Sequence, residues 1–349
     1  MKRFQIFLCL LFVFFSSAFA IFPTQIHIRG QFGKAKIDKA EKSIFIPVHY
    51  FENNRVYPLS NAIVEIFTLN KKITHTLPDT LDLRDWTFFK IGKDTWKIKG
   101  GYQLPNSDFK HWHTEEVQGF ATFGKLKCSE MVGKKETRRI WDNGNSAFAT
   151  SGSKSWPTYK IKLKDGSFAA ELKTKSVFGI IASGNLFTGR IPRNKTLKQI
   201  LYYTDKDGKD LIHWGIPFEG RPSGFRIKFK YDGKGDSCTI MATLENRKNN
   251  ERRFIASAWY SAKNDSDKTI PGTVSISEPD ADGLRTLEVQ FIYGKIHPIA
   301  DPFPKGVVQG NANEDITHIN VVLASSRRGD FFKGVKGATL VVSQFELIY

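Results

Sequence analysis

Apolar and polar side chains alternate along several segments in the second half of the chain. Residues 225–231 read FRIKFKY, so four apolar side chains share one face of a predicted strand and three cations share the other. Residues 159–164 and 287–293 show the same period of two. No apolar period of three to four helical turns follows residue 20, which argues against helical bundles and alternating α/β folds. The pattern predicts an all-β chain.

Turn residues divide this β pattern into two predicted domains. A glycine pair at 100–101 precedes a polar turn and marks the boundary, since few contacts cross such segments. Residues 21–101 have the size of a small β-sandwich. Residues 102–349 contain many strands, long turns and no helices to cover a parallel sheet, which predicts a larger jelly-roll sandwich. Strand-like segments of the first domain lie at 44–48, 62–67 and 95–99.

Residues 1–20 have the pattern of a signal peptide. Two cations, Lys2 and Arg3, precede the apolar run 6–15, and small residues end at Ala20, where we expect cleavage. No later stretch approaches the roughly 20 apolar residues that a membrane-spanning helix needs. We therefore expect an exported protein in the periplasm, at the cell surface or secreted, with peripheral association with the envelope as an option.

The chain is strongly basic. Cleavage would remove Lys2 and Arg3 and lower the formal net charge from +17 to +15. This excess favours an anionic neighbour such as an acidic polysaccharide, lipopolysaccharide or phospholipid headgroups, although solubility explains it equally well. The basic residues are dispersed and form no nucleic-acid-binding module, so we expect no nucleic acid partner.

Cys128 and Cys238 are the cysteines that remain after cleavage. Thiols of an exported protein can oxidise, so one disulfide between them is possible. The alternative is two separate buried thiols, and the sequence does not decide between the two.

The motifs of common cofactor and metal sites are incomplete. Residues 119–125 have the spacing of a phosphate loop, but Leu126 stands where the magnesium-binding Ser or Thr must be. His111 and His113 would share one side of a strand, yet no third ligand accompanies them, and a solvated pair is the alternative. No serine-hydrolase elbow, zinc-protease helix or calcium loop is present. We therefore expect no cofactor and no metal.

Catalytic carboxylates are harder to recognise from the sequence. A glycoside hydrolase needs two carboxyl groups about 5–9 Å apart, and these can come from any strands. Glu219, Asp236 and Asp330 are candidates, but no feature singles out a pair, and turn or surface carboxylates are the alternative.

Aromatic and amide side chains near predicted loops suggest sugar recognition. A sugar needs an exposed ring for its C–H face and planar polar groups for its hydroxyls. Trp141, Asn145, Trp214 and Arg221 are the predicted carbohydrate contacts. For each tryptophan taken alone, core packing is the alternative role.

Six strings follow one another along the second domain. They are WDNGNS (141–146), AAELKT (169–174), GNLFTG (184–189), GIPFEGRP (215–222), FKY (229–231) and SSRRGDFFKGVKGATL (325–340). Together they resemble the putative carbohydrate metabolism domain family of exported proteins. The resemblance covers residues 102–349, and residues 26–101 resemble the immunoglobulin-like unit that often precedes this domain, called the first domain here. It implies a jelly roll at the cell envelope with a part in glycan handling, and no reaction or catalytic set.

Three functions remain open from the sequence. The leading hypothesis is an exported, non-enzymatic protein whose jelly roll binds carbohydrate, with an acidic glycan as one option. The second is a glycoside hydrolase or lyase that uses Glu219 or Asp236. The third is a structural or adhesion module without a soluble ligand.

Overall fold

The structure is a computed structural model that describes most of the second domain. From residue 103 to residue 349 it omits 120–123, 134–139, 154, 193–211, 249–250 and 296–306. Before residue 103 it describes nine strands within 25–100 and a few residues beside them. The predicted signal peptide, residues 1–20, lies outside the described residues.

The described residues form almost only strands. Strands make up 53% and helices 4% of the chain, which confirms the predicted all-β class. The first strands are β1 (Gln25–Ile28), β2 (Lys36–Asp38), β3 (Ser43–Ile46), β4 (His49–Glu52), β5 (Arg55–Pro58), β6 (Ile63–Phe67), β7 (Lys72–Thr76), β8 (Thr87–Ile91) and β9 (Asp94–Gly100).

The second domain begins its described strands at residue 112. These are β10 (Trp112–Gln118), β11 (Lys125–Val132), β12 (Trp141–Asp142), β13 (Thr158–Lys162), β14 (Phe168–Lys173), β15 (Lys175–Val177), β16 (Ile180–Ala182), β17 (Asn185–Arg190), β18 (His213–Trp214) and β19 (Ile216–Pro217), with helix α1 (Asn145–Ala149) after β12. They continue with β20 (Gly224–Asp232), β21 (Thr239–Lys248), β22 (Glu251–Tyr260), β23 (Thr273–Ile276), β24 (Arg285–Gln290), β25 (Ile292–Tyr293), β26 (Val307–Gln309), β27 (His318–Ala324) and β28 (Thr339–Ile348), with a 3₁₀ helix at Gly329–Phe331.

Contacts divide the chain into two units. The first comprises residues 1–46 and 60–99, and the second comprises 47–59 and 100–349. In the first, β1, β6 and β7 form one sheet and β2, β3, β9 and β8 form another. Its immunoglobulin-like assignment stays a prediction, as does the domain boundary at residue 102. No helix among the described residues is long and apolar enough to cross a membrane.

Two six-stranded paths form the sandwich of the second unit. One sheet has the order β13-β14-β28-β20-β24-β23, and the other has the path β12-β17-β27-β21-β22-β25. Eight central strands alternate between the two sheets in chain order. Strand β14 lies in the first sheet, β17 in the second, β20 in the first, β21 and β22 in the second, β24 in the first, β27 in the second and β28 in the first. This alternation between the sheets, together with the strand order within each sheet, is the double Greek key of a jelly roll and confirms the predicted fold.

The core lies between the two sheets. Phe225, Ile227 and Phe229 on β20 are fully buried, whereas Arg226 between them is half-buried and Lys230 is exposed. The alternation predicted from residues 225–231 is therefore confirmed. Across the core, the Phe229 ring meets the edge of the Tyr260 ring of the other sheet at 5.4 Å between centroids.

The sandwich has two ends, which the strand register defines. Glu245 on β21 pairs with His318 on β27 at one end, and Thr239 pairs with Ala324 at the other. We call the first the cavity end, after the cavity described below. The second is the hairpin end, after the β15–β16 hairpin, which begins next to the pair of Lys173 on β14 and Thr339 on β28.

Candidate functional site

Trp141 lies inside the core and has 2% of its surface exposed. Its ring meets the rings of Phe109 and Phe345 edge-on at 5.2 and 6.0 Å between centroids. Its indole nitrogen donates a hydrogen bond of 2.9 Å to the Pro105 carbonyl. Sugar stacking needs an exposed ring face. The structure therefore gives Trp141 the alternative role, core packing.

Asn145 is also buried, and its amide is used by the backbone. Its Nδ2 donates to the carbonyls of Thr158 at 2.7 Å and Glu130 at 2.8 Å, and its Oδ1 accepts from the Thr158 amide at 3.1 Å. Both amide hydrogens are thereby taken. Asn145 thus joins α1 to β11 and β13 and has no donor left for a sugar hydroxyl.

Trp214 and Arg221, the other two predicted contacts, lie at the cavity end. Trp214 is half-buried, with its ring 5.2 Å from that of Phe187, and its carbonyl accepts a bond of 2.8 Å from Arg247. Arg221 donates to the carbonyls of Ala312 at 2.7 Å and Glu314 at 2.5 Å. Burial lowers the pKa of Arg221 from its ordinary value. Arg221 therefore supports the segment 311–315 from behind.

That segment lines a polar cavity of about 450 Å³. On β21 the period of two places Asn246 and Lys248 on the face that carries core residue Leu244, so the cavity continues the inner face beyond the core. Its lining contains amide, ammonium and carboxylate groups, which are the groups that bind hydroxyls. We call it the polar cavity, and its lining residues are Asn246, Lys248, Asn311, Asn313, Glu314 and Asp315.

Ion pairs hold the two sides of the polar cavity together. Arg253 on β22 donates to Glu314 at 2.8 Å, and Lys248 on β21 donates to Asp315 at 2.8 Å. The Asn246 amide adds a bond of 2.9 Å to the Asp315 carbonyl. The lining thus contains one cation and two carboxylates, and both carboxylates have a cationic partner.

Glu245, next to the cavity on β21, is a fully buried carboxylate. Arg252 donates to it through two nitrogens, each at 2.7 Å, and Arg247 donates through Nε at 2.7 Å. The Thr243 hydroxyl adds a fourth bond at 3.1 Å. A buried carboxylate needs such partners, because an unpaired charge in the interior is very costly. Glu245 therefore anchors both arginines beside the cavity.

Two titratable groups respond to this cluster. Burial raises the pKa of Glu245, but the hydrogen bonds and charges of Arg252 and Arg247 outweigh it, so the pKa is lowered from its ordinary value. The pKa of His318 is lowered by burial and by the positive charge of Arg247. Both shifts favour the state found at neutral pH, a charged Glu245 and a neutral His318.

The three carboxylates considered for catalysis are not brought together. Glu219 is exposed and lies near the cavity end. Asp236 accepts bonds from the amides of Ser237 and Val335, and it lies at the hairpin end with Asp330. The nine residues of β20 separate these ends by roughly 30 Å at 3.3 Å per residue, so Glu219 cannot act with either aspartate.

The histidine pair forms no metal site. His113 Nδ1 lies 2.7 Å from the Gly133 carbonyl and its Nε2 lies 2.8 Å from Glu115, so both ring nitrogens have protein partners. His113 therefore does not fit the alternative of a solvated histidine pair, because its ring nitrogens bind protein groups. Among the described residues, no three His, Cys, Asp or Glu side chains are placed to hold a metal ion. Most of the phosphate-loop-like string, residues 120–123, lies outside the described residues, and a strand follows it.

The possible disulfide is not formed. Cys128 and Cys238 are buried thiols outside any disulfide and belong to different core clusters. Cys128 lies 3.5 Å from the Met131 sulfur, and burial raises the pKa of Cys238 to about 12. The structure thus supports the alternative of two separate thiols.

Sequence reasoning missed the polar cavity, although a signal was present. Residues 311–315 read NANED, an unusually dense run of amide and acid side chains. Such runs are common in turns, and only the fold shows that Lys248 and Arg253 meet this one.

The chain resembles known proteins over most of its length. The model of the family described as Putative carbohydrate metabolism domain matches residues 108–348. A crystal structure of a putative glycoside hydrolase from Bacteroides thetaiotaomicron is similar with 15% identity, 94% of this chain and 96% of that chain covered, and a TM-score of 0.44. One from Bacteroides vulgatus has 18% identity, 77% and 96% coverage, and a TM-score of 0.43. No curated protein matches the chain.

Proposed function

The chain belongs to the putative carbohydrate metabolism domain family, and we propose that its jelly roll binds a carbohydrate in the polar cavity without cleaving it. The observation that supports this proposal is the lining itself. Amides of Asn246, Asn311 and Asn313 stand beside paired charges in a cavity of about 450 Å³, a volume within the range of small-ligand sites.

The charges of the lining favour a neutral sugar. The cations at the lining, Lys248 and Arg253, are already paired with Asp315 and Glu314, so their charge is compensated and gives an acidic glycan little attraction. Hydroxyl groups can instead donate to the carboxylates and accept from the amide and ammonium groups. The acidic glycan considered from the net charge is therefore not the ligand that we propose for this cavity.

Binding without catalysis fits the same groups. A glycoside hydrolase needs one carboxylic acid that keeps its proton near neutral pH, usually in apolar surroundings. Glu314 and Asp315 are instead held by Arg253 and Lys248 in ion pairs of 2.8 Å. Neither has the apolar surroundings of a general acid.

A glycan-array screen of the purified protein tests the proposal. We expect saturable, salt-resistant binding of neutral glycans, and about fivefold weaker binding for Asn313→Ala, because a lost hydrogen bond costs about 1 kcal/mol. Gln290→Ala, which removes an exposed amide from β24, is the matched control.

Three outcomes would contradict the proposal. Release of reducing sugar from a bound glycan would identify a hydrolase. Binding that disappears at high salt would mean that only the net charge is recognised. Absence of binding to any glycan would support a structural or adhesion module.

We also propose that the protein acts outside the cytoplasm, at the envelope or secreted. The support is the charge and apolar pattern of residues 1–20, which ends in small residues at Ala20. Mass spectrometry of the mature N-terminus should find Ile21 as the first residue. An intact Met1 in the mature protein would exclude cleavage.

A further inference from the structure

A buried cluster of hydroxyl groups lies at the hairpin end. The Thr174 hydroxyl lies 2.8 Å from that of Ser325 and 2.7 Å from that of Ser326, and the Ser183 hydroxyl accepts from the Ser326 amide at 3.1 Å. Thr174 and Ser183 flank the β15–β16 hairpin, and the two serines begin the segment 325–338. The cluster therefore fixes the hairpin and this segment side by side.

The tip of the hairpin presents an exposed phenylalanine. Val177 pairs with Ile180, so Phe178 and Gly179 form a two-residue turn in which both have positive φ, 50° and 78°. A turn of this kind favours Asn or Asp before Gly, and a bulky residue there is strained. Phe178 nevertheless occupies it with 75% of its surface exposed. Strain of this kind persists where it serves a function.

The inner side of the hairpin rests on the protein. Val177 and Ala182 pack against the cluster that contains Cys128 and Trp156, and the Lys175 ammonium donates to the Ser155 hydroxyl at 2.6 Å. These contacts anchor the hairpin beside its tip, so the exposed ring of Phe178 is carried by a packed element.

The segment that meets the base of the hairpin carries several cations. Residues 325–338 contain four basic residues and one acidic residue, Asp330. Arg328 lies 5.1 Å from the Phe331 ring, which orients its guanidinium without neutralising it. Among the described residues, no carboxylate lies within ion-pair distance of Lys333 or Lys336. Val335, between these two lysines, is exposed as well.

We propose that the hairpin end binds the surface of an anionic lipid bilayer, with Phe178 and Val335 entering the headgroup region and Lys333 and Lys336 contacting lipid phosphates. Exposed apolar side chains and cations at the same end of a protein can hold it at a membrane, since apolar burial and attraction to anionic lipids add. A soluble polyanion would bind the same cations as an anionic bilayer does, but it would leave the exposed apolar side chains in water. The contact is distinct from the polar cavity, which lies at the other end of the sandwich.

Vesicle flotation with the purified protein tests the proposal. We expect binding to vesicles of phosphatidylcholine with phosphatidylglycerol, and little binding to phosphatidylcholine alone. Replacing Lys333→Gln and Lys336→Gln together should weaken binding about 25-fold, at roughly fivefold per cation. Phe178→Ala should weaken it about tenfold. Lys162→Gln with Lys164→Gln, which removes two exposed cations of the β13 region, is the charge-matched control and should bind like the natural protein.

An environment-sensitive dye locates the contact. Because Cys128 and Cys238 are buried, a thiol dye on Phe178→Cys should label that position selectively. We expect its emission to shift to the blue with the anionic vesicles. The same dye on Val274→Cys, an exposed apolar position on β23, should not respond.

Several results would overturn the proposal. One is flotation that the Phe178 and lysine variants leave unchanged while their melting temperatures match that of the natural protein. Another is a dye at Phe178→Cys that stays in water when the protein floats. Binding to an acidic polysaccharide that these variants weaken, with no binding to vesicles, would assign the surface to a glycan instead.

Discussion

The two ends of the jelly roll differ in whether their cations are paired with carboxylates. At the cavity end, Arg247 and Arg252 surround Glu245, while Arg253 and Lys248 hold Glu314 and Asp315. At the hairpin end, Lys333 and Lys336 have no described carboxylate partner, and the aromatic side chain of Phe178 is exposed at the same end. Paired charges suit a surface that recognises neutral polar groups, whereas unpaired charges suit an anionic partner. The formal net charge of +17 therefore does not distinguish a surface with paired cations from one with unpaired cations.

The cost of each arrangement differs too. The cavity end keeps a carboxylate out of water and compensates it with hydrogen bonds, so it is sensitive to the loss of any partner. The hairpin end keeps strain in the backbone at Phe178 and Phe332, which both have positive φ. That strain is relieved, not increased, by the right substitution.

The largest effect is expected from Glu245→Gln. The substitution leaves Arg247 and Arg252 half-buried beside a neutral amide, and breaking a buried pair costs about 3–5 kcal/mol of the free energy of unfolding. Urea denaturation measures it. Glu251→Gln, which removes an exposed partner of Arg253, should cost under about 1 kcal/mol. Equal losses in the two variants would refute the contrast between buried and exposed pairs.

Acid should weaken the cavity end in two steps. The pKa of His318 is lowered in the fold, so its contribution is complete above about pH 6.5 and is lost as the pH falls below that value. The pKa of Glu245 is lowered as well, so its contribution is lost only as the pH falls below about 4.3 and through the folded value. Denaturation midpoints across this range check the order. In Glu245→Gln the lower step should shrink, and an unchanged lower step would assign it to other carboxylates.

At the hairpin end, Thr174→Val should cost about 1–3 kcal/mol. The substitution keeps the shape of the side chain but removes the Thr174 hydroxyl from the buried hydroxyl of Ser326, whereas the Ser325 hydroxyl keeps its bond to the Gly184 carbonyl. Urea denaturation gives the loss, and vesicle flotation of the same variant shows whether the hairpin keeps its place. Thr286→Val on the half-buried outer face of β24 is a control with the same chemical change. A similar loss in both variants would remove the special role of the hydroxyl cluster.

The smallest effect has the opposite sign. Phe178→Asn gives the turn the residue pair that positive φ favours, and it removes little packing because the ring is exposed. We expect a gain of about 0.5–1 kcal/mol in the free energy of unfolding together with weaker flotation with anionic vesicles. Calorimetry measures the gain. A variant that is less stable than the natural protein would show that the ring contributes to packing, and the tip would lose its functional interpretation.

The sequence was a good guide to strands and a poor guide to sites. The alternation over residues 225–231 predicted β20 and its buried face, because one face of a strand must enter the core. Residue type does not predict burial for side chains that can serve either a binding site or the core. Trp141 and Asn145 have the chemistry of a sugar site, yet the same ring and amide also fill a core and satisfy buried backbone groups.

The polar cavity depends on contacts that local patterns do not encode. Residues 311–315 and Lys248 are more than sixty positions apart, and they meet because β21 pairs with β27. Arg221 is predicted as a carbohydrate contact, but its guanidinium donates to backbone carbonyls of this segment, a direction that spacing along the chain does not reveal.

The position of β28 in its sheet has a kinetic consequence. This strand lies between β14 and β20, so the edge of residues 170–173 that faces away from β13 obtains its partner only from residues 339–342. During synthesis β14 and β20 therefore each keep one unpaired edge until almost all of the second unit has been translated. Pairings over such separations fold slowly, and open edges promote aggregation. A chain of this topology exposes unpaired strand edges for longer during synthesis than one in which strands pair with their immediate successors.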